Sequence, residues 1–434
     1  MSCNMDDAFL TDFDQSLFEI MNKAMIPGLA IAIIRDGKLV IEKSYGVTNV
    51  DTNEPVTSET VFEAASLSKP VFAFAVMNLV DRGELDLDRP LIEYVAKEYI
   101  TEVFLGEQFS DARIRQITAR LVLSHQTGFP NWRGNDPLTI EFEPGERFQY
   151  SGEGFVYLQK VVEKITGLPL SDFITQEVFT PLGMINSGHV WPGENTCTAA
   201  SPHDILMDAG EKRAWSVARA AASLHTTITD YAKFVVALVG HAGSKNNAVV
   251  EMLSPQVVVD PEDGEHICWG LGVGLQKTKE GMAFWHWGDN RNLKCFFMAF
   301  PDQGAAVVYF TNSVYGLTPR KEIVQLTLGG DQPIMNSVLL RNYSELDLLW
   351  MKFMHVLVTK NVDAAVEYFR QLSKLYPAQD IVPEYLLNRI GKDYASKKKY
   401  ISAKKIFKLC AEAYPDSSDE SLRLCKSLID DHQP

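Results

Sequence analysis

Apolar positions fall into short runs near both ends of residues 1–330, with longer helical stripes between them. Residues 28–34 (GLAIAII) are apolar throughout, break at Arg35-Asp36-Gly37-Lys38 and resume at residues 39–41. That pattern predicts strand, turn, strand, because Asp-Gly readily takes the backbone angles of a tight hairpin. From Ser66 to Val80 the chain is apolar on every face (Val71, Phe72, Phe74, Val76, Met77, Leu79), and it stops at Asp81-Arg82-Gly83. This predicts a buried helix with a glycine stop. Residues 270–274, 284–287, 295–300 and 305–311 predict further short strands separated by turns. The stretch from about 86 to 242 has helical periodicity broken by Pro/Gly loops. One sheet assembled from distant segments, with a helical insertion, is the expectation.

The texture changes after residue 331. Ala365, Phe369 and Tyr376-Pro377 recur 38 positions later as Ala403, Phe407 and Tyr414-Pro415, and Leu348-Leu349 recurs as Leu386-Leu387. A repeated helical hairpin with alanine at the close crossing is similar to tetratricopeptide repeats, although the period is longer than theirs. Two such units are few for independent stability, so this region should lean on the first domain or on a partner. The expected organisation is therefore a domain over 1–330 and a helical, TPR-like domain over 336–434.

Charge supports a division into two surfaces. Residues 336–434 hold 15 Lys+Arg against 13 Asp+Glu, a net of +2. The remainder holds 26 against 43, a net of −17. The whole chain of 434 residues carries −15, which argues against nucleic acid as a partner. The lysines at 397–399 with Lys404 and Lys405 read as a solvated helix face, an acidic surface being the other reading. The six cysteines (Cys3, Cys197, Cys268, Cys295, Cys410, Cys425) lack metal-type spacing and read as inert thiols. No apolar run reaches the roughly 20 residues of a membrane span, and the opening residues have no basic segment before their apolar ones. A cytoplasmic location is the expectation.

Candidate chemistry begins at Ser66-Leu67-Ser68-Lys69. Residues i and i+3 share a helix face, so the amine of Lys69 can reach the Ser66 hydroxyl. A serine needs such a base, and a lysine serves only when burial or cations lower its pKa. Two other S-x-x-K matches, Ser396–Lys399 and Ser402–Lys405, lie on the lysine-rich repeat and read as solvated surface. Tyr150-Ser151-Gly152 and His286-Trp287-Gly288 add a phenol and a strand histidine. A phenol becomes a base only beside cations that favour its phenolate.

Together and in this order, these motifs resemble the serine β-lactamase and penicillin-binding-protein-like family, nearest its class C and esterase branch. The likeness runs from about Ile26 to Asn312. It takes in Ile26-Pro27-Gly28, Leu123-Ser124-His125-Gln126-Thr127-Gly128, Pro144-Gly145-Glu146, Pro181-Leu182-Gly183 and Leu224-His225-Thr226-Thr227 as well. The resemblance implies an α+β fold: an antiparallel sheet flanked by helices beside an all-helical subdomain, followed here by the all-α tail. It makes Ser66 the nucleophile, Lys69 and Tyr150 the proton-transfer pair, and the strand at His286 the opposite wall, with His286 counted among the catalytic residues. Gly152, Trp287, Gly288 and Asp289 become substrate-binding or oxyanion positions, with the Ser66 and Asp289 N–H groups as the oxyanion hole. No metal or organic cofactor is implied.

Two departures from the family pattern shape the expected activity. Gly152 stands where many members have an amide-binding asparagine, and His286-Trp287 replace a lysine and a small hydroxyl that serve a substrate carboxylate. A serine hydrolase preferring esters or hydrophobic amides, with a small acyl substrate, is the expectation. A β-lactamase or D-stereospecific peptidase is the alternative within the family. An interaction protein using its TPR-like tail is the alternative outside catalysis. His125 and His225 are expected to be structural, the latter with a possible cleft-facing role. Trp132, Trp215, Trp269 and Trp285 are expected in core or rim. Gly270-x-Gly272-x-Gly274 lacks dinucleotide spacing, and no G-x-S-x-G elbow occurs.

Overall fold

The computed structural model describes residues 7–191, 199–242, 247–263, 266–341 and 343–415. Cys3, Cys197 and Cys425 lie outside the described residues, as does the end of the repeat region from 416.

Among the described residues there are ten strands: β1 Gly28–Arg35, β2 Lys38–Gly46, β3 Phe62–Ala65, β4 Leu224–Thr226, β5 Val257–Val258, β6 Ile267–Trp269, β7 Gly274–Thr278, β8 Gly281–Asp289, β9 Lys294–Phe300 and β10 Ala305–Thr311. Eight of them form one antiparallel sheet in the order β2-β1-β10-β9-β8-β7-β6-β5. The early strand β1 pairs with the last one, Ile31 opposite Tyr309, while β2 pairs with β1 at the sheet edge. The β1–β2 hairpin turns at Asp36 and Gly37, both at positive φ, as a two-residue turn matching strand twist requires.

Both sheet faces are buried around β1, β9 and β10, which is why these strands read as continuous apolar runs, while the edge strand β2 is only partly buried. Along β1, Ala30, Ala32 and Ile34 enter the cluster that includes the helix Ser68–Asp81, while Leu29, Ile31 and Ile33 enter the opposite one. The helix Ile228–Ala242 packs over β1, β2 and β10 on the first face. Helices Asp7–Ala24 and Arg320–Thr327 flank the other face.

Residues 270–273 are not strand, contrary to expectation. Gly272 is at φ +83°, and the N–H groups of Leu271 and Gly272 donate to Met252 and Leu123 outside the sheet. A Cβ on Gly272 would meet the Ala73 Cβ at 2.4 Å, so the apolar, glycine-rich pattern marks a tight crossing of the buried helix.

The C-terminal region holds two helical hairpins, Leu349–Thr359 with Val362–Leu372 and Glu384–Ser396 with Tyr400–Ala413. Ala365 and Ala403, with Phe369 and Phe407, are buried at the equivalent crossings. These hairpins share a core with Met25, Ile205, Leu206 and Tyr315 of the earlier chain. Lys397 joins the seam electrostatically, with Nζ 2.5 Å from Asp204, 2.8 Å from Asp208 and 3.2 Å from Asp393. Lys399 lies 3.5 Å from Asp208. The solvated-face reading of these two lysines is therefore corrected: they meet the chain's own acidic surface.

Candidate active site

Ser66 sits in a turn between β3 and the helix Ser68–Asp81. The residue before it, Ala65, is at φ +52°, an uncommon conformation for a residue with a Cβ. Neighbouring bonds hold it there. The Ser68 hydroxyl donates to Ala65 O and accepts from the Leu224 N–H at 3.0 Å, clamping the turn to β4. Strand β8 crosses the same point. A Cβ on Gly288 would meet Cys295 Sγ at 2.3 Å, Ala64 O at 2.6 Å and the Ala65 Cβ at 3.2 Å. Gly288 thus admits the segment leading to Ser66, rather than leaving open space for a substrate on that side.

Lys69 is fully buried, and its Nζ donates to Ser66 Oγ at 3.1 Å and to Ala221 O at 2.8 Å. Among the described residues no carboxylate pairs with it. Burial lowers its pKa from the usual lysine value to about 7. Near neutral pH roughly half of the amine is then unprotonated and able to take the Ser66 proton.

The Tyr150 ring lies 4.8 Å from Lys69 Nζ. Its hydroxyl is buried and closes no full hydrogen bond among the described residues, although Ser66 is near enough to favour its ionised form. Burial dominates and raises the phenol's pKa. Tyr150 is therefore a phenol at neutral pH, suited to pass a proton but not to act as a resting phenolate.

His286 is completely buried between Tyr150, Trp269 and Trp287, with ring centroids at 6.1, 5.4 and 5.2 Å. Its Nδ1 lies 2.7 Å from Trp287 O, so that nitrogen carries the proton and Nε2 is left as a buried acceptor without a partner among the described residues. Burial, and then the charge of Lys69, lower its pKa to about 3. It supplies no positive charge at neutral pH. His125 also closes on this cluster, 4.4 Å from the Tyr150 ring. Its Nδ1 accepts from the Ser151 N–H at 3.0 Å, the loop-ordering bond expected of it.

The remaining positions are engaged by the protein itself. The Trp132 ring comes within 2.6 Å of where a Gly152 Cβ would stand, so no asparagine fits there while the indole keeps its place. The Trp287 Nε1 donates to Tyr343 Oη at 3.1 Å, and that hydroxyl donates to Asp289 at 2.9 Å. Lys294 forms an ion pair with Asp289 from the other side. His225 stacks on Trp191 at 4.8 Å and bonds Ser223 O, a structural place. Trp269 and Trp285 are core residues, while Trp132 is 44% exposed on the rim.

Several contributors carry no local motif. Ala221 O accepts from Lys69 and, at 3.4 Å, from Ser66. Glu63 accepts from Trp215 Nε1 at 3.2 Å and Asn290 Nδ2 at 2.7 Å, tying β3 to the end of β8. Only their position in the folded chain reveals them.

Residues 13–329 match the family model described as Beta-lactamase, and the chain belongs to that family. Among curated proteins, it is 32% identical over 179 residues to Penicillin-binding protein 4 of Amycolatopsis lactamdurans, covering 37% of this chain and 44% of that protein. It is 28% identical over 207 residues to Esterase EstB of Burkholderia gladioli, covering 41% and 50%. The chain thus spans half or less of the length of these relatives. Among solved structures, the octameric penicillin-binding protein homologue from Pyrococcus abyssi superposes with a TM-score of 0.61 at 23% identity, over 76% of this chain and 80% of that one. The beta-lactamase/D-alanine carboxypeptidase from Pseudomonas syringae gives 0.64 at 18%, over 75% and 100%. These two share the fold. The family match stops at 329, so the tetratricopeptide likeness of the tail rests on its hairpins alone. No helix among the described residues is long and apolar enough to cross a membrane.

Proposed function

We propose that the chain is a serine hydrolase that works through an acyl-enzyme on Ser66 and prefers esters. The observation that carries this reading is the 3.1 Å contact between Lys69 Nζ and Ser66 Oγ, with the amine buried and its pKa near 7. Neutral Lys69 takes the hydroxyl proton as Ser66 attacks a substrate carbonyl. The tetrahedral oxyanion is held by the Ser66 and Asp289 N–H groups, and Tyr150 passes the proton on to the leaving oxygen. Water then attacks the acyl-enzyme by the same route in reverse.

The ester preference is supported by what the site lacks. Gly152 offers no amide and Trp132 covers its place, while neutral His286 offers no charge to a penicillin-type carboxylate. An ester leaving group also needs less help than an amine. The domain limits, 1–330 for this chemistry and 336–434 for a TPR-like brace, belong to the same proposal, supported by the shared core and the Lys397 seam.

The test is fluorophosphonate labelling, with a panel of chromogenic acyl esters and a chromogenic cephalosporin, on wild type and Ser66→Ala. Labelling and ester turnover should vanish in the variant, by at least about a thousandfold. Labelling that survives Ser66→Ala would refute the nucleophile. Cephalosporin turnover equal to that of esters would refute the preference.

A further inference from the structure

A cavity of about 830 Å³ does not include Ser66 itself but is lined by Ala222, Asp289 and Asn290, which adjoin the groups around it. Ala222 follows the carbonyl that accepts from Lys69, and Asn290 Nδ2 donates to Ala222 O at 3.3 Å. A substrate held at Ser66 therefore extends into this space.

The wall of the cavity carries five cationic side chains, in a protein whose net charge is −15. Two are neutralised locally: Arg133 pairs with Glu153 at 3.4 Å and Lys160 with Glu163 at 2.7 Å. The other two carboxylates facing the region are also committed. Asp289 is held by Lys294 and Tyr343, and Glu63 lies buried behind the wall, bonded to Trp215 and Asn290, with Arg213 near enough to favour its ionised form. Arg213, Arg219 and Arg291 remain, all exposed and none in an ion pair among the described residues. Arg213 lies 4.0 Å over the Trp215 ring, which fixes the plane of its guanidinium and leaves its N–H edge available. Planar guanidinium groups on a partly enclosed wall suit a carboxylate or phosphate, through paired charge-assisted bonds. Field lines from a cationic cleft in an acidic protein also steer anions toward that cleft.

We infer that the substrate hydrolysed at Ser66 is anionic, its charged end bound in this cavity by Arg213, Arg219 and Arg291. The inference rests on the serine hydrolase reading and narrows its substrate class. The charge belongs either to the acyl chain or to the leaving alcohol.

Two matched pairs of esters separate these sources. For the acyl side, 4-nitrophenyl hemiadipate is compared with 4-nitrophenyl heptanoate; for the alcohol side, 3-acetoxybenzoate is compared with phenyl acetate. In one pair the anionic member should have at least about a tenfold higher kcat/KM, carried mainly by KM and weakened by 0.5 M salt. The ratio should fall toward one in Arg213→Gln/Arg219→Gln/Arg291→Gln. It should persist in Lys374→Gln/Lys398→Gln/Lys408→Gln, which removes the same charge from exposed positions of the tail. Ester turnover without preference for either anion, or a preference that survives the arginine variant, overturns the inference while leaving the hydrolase reading intact. Turnover of none of the four esters counts against the hydrolase reading. The inference is then decided by titrating Ser66→Ala with the mono-4-nitroanilide of adipic acid and, for the leaving side, with 3-acetamidobenzoate, the tighter of the two being compared. Binding at least about tenfold weaker in the arginine variant supports it, and equal or absent binding overturns it.

Discussion

Two lysines in this molecule are withdrawn from water and end with opposite character. Lys69 lies under the sheet–helix junction with a hydroxyl and a carbonyl for partners, and burial lowers its pKa to about 7. Lys397 lies in the seam with the helical hairpins among Asp204, Asp208 and Asp393, and its pKa is raised by those carboxylates despite burial. Desolvation acts on both, so the number of facing carboxylates decides the outcome. The first lysine is left able to accept a proton near neutral pH, and the second stays charged as a clamp.

The sharpest way to break this comparison is Lys69→Met. Activity toward esters should drop by about a thousandfold or more, because Ser66 loses its proton acceptor. Stability should move the other way. Unfolded Lys69 titrates near the ordinary 10.5 and folded Lys69 near 7, so between these values the unfolded chain holds a proton that the folded one lacks. Stability therefore falls as pH drops from 10.5 to 7, and the penalty is full below 7. Removing the amine should raise stability at pH 6 by about 2 kcal/mol after the lost hydrogen bonds are allowed for, and by less near pH 10. Denaturant titrations at the two pH values would measure it. A variant less stable at both would show that the amine is not buried at a cost.

How far these features could be read from sequence follows from how local each is. Ser66 and Lys69 are three residues apart at a helix start, so their contact is almost dictated by geometry. The sheet was legible because strands buried on both faces are apolar without interruption, as β1 and β10 are. The same rule misled at residues 270–273, where glycine and leucine serve a helix crossing. Tyr150 came only through resemblance to a family. Ala221 O, Tyr343 and the three arginines are brought in by loops without periodicity, and Glu63 by a strand of only four residues. Lys397 was misread for a related reason: two of its aspartates lie nearly 200 residues upstream, beyond any helical spacing.

A milder intervention gives Lys69 the partner it lacks. His286 faces it from a fully buried place, and its neutral ring adds no charge at neutral pH. With His286→Asp, a carboxylate near the amine should favour the protonated lysine. The kcat/KM–pH profile of the wild type should rise with pH through a midpoint near 7, since the unprotonated amine is the active form. In the variant that midpoint should move up by one unit or more, with about a tenfold loss at pH 7. His286→Gln should keep the midpoint near 7. A midpoint unmoved by the carboxylate would mean that another group controls the profile.

The smallest effect belongs to the clamp. Lys397→Met leaves Asp204 and Asp393 without their cation and Asp208 with Lys399 alone, and should cost about 1–2 kcal/mol in a partly exposed network. Its pH signature differs from that of Lys69. Lys397 has a raised folded pKa, so its contribution is complete below the ordinary 10.5 and is lost as pH climbs through the folded value. Asp208 has a lowered one, so its share is present above 3.8 and lost as pH falls through the folded value. The difference in melting temperature between wild type and variant should thus be flat from about pH 5 to 9 and should shrink at either extreme, while the activity midpoint stays near 7. A difference that changed between pH 6 and 9 would place an uncharged or shifting group in the seam, and the contrast between the two lysines would lose its electrostatic basis.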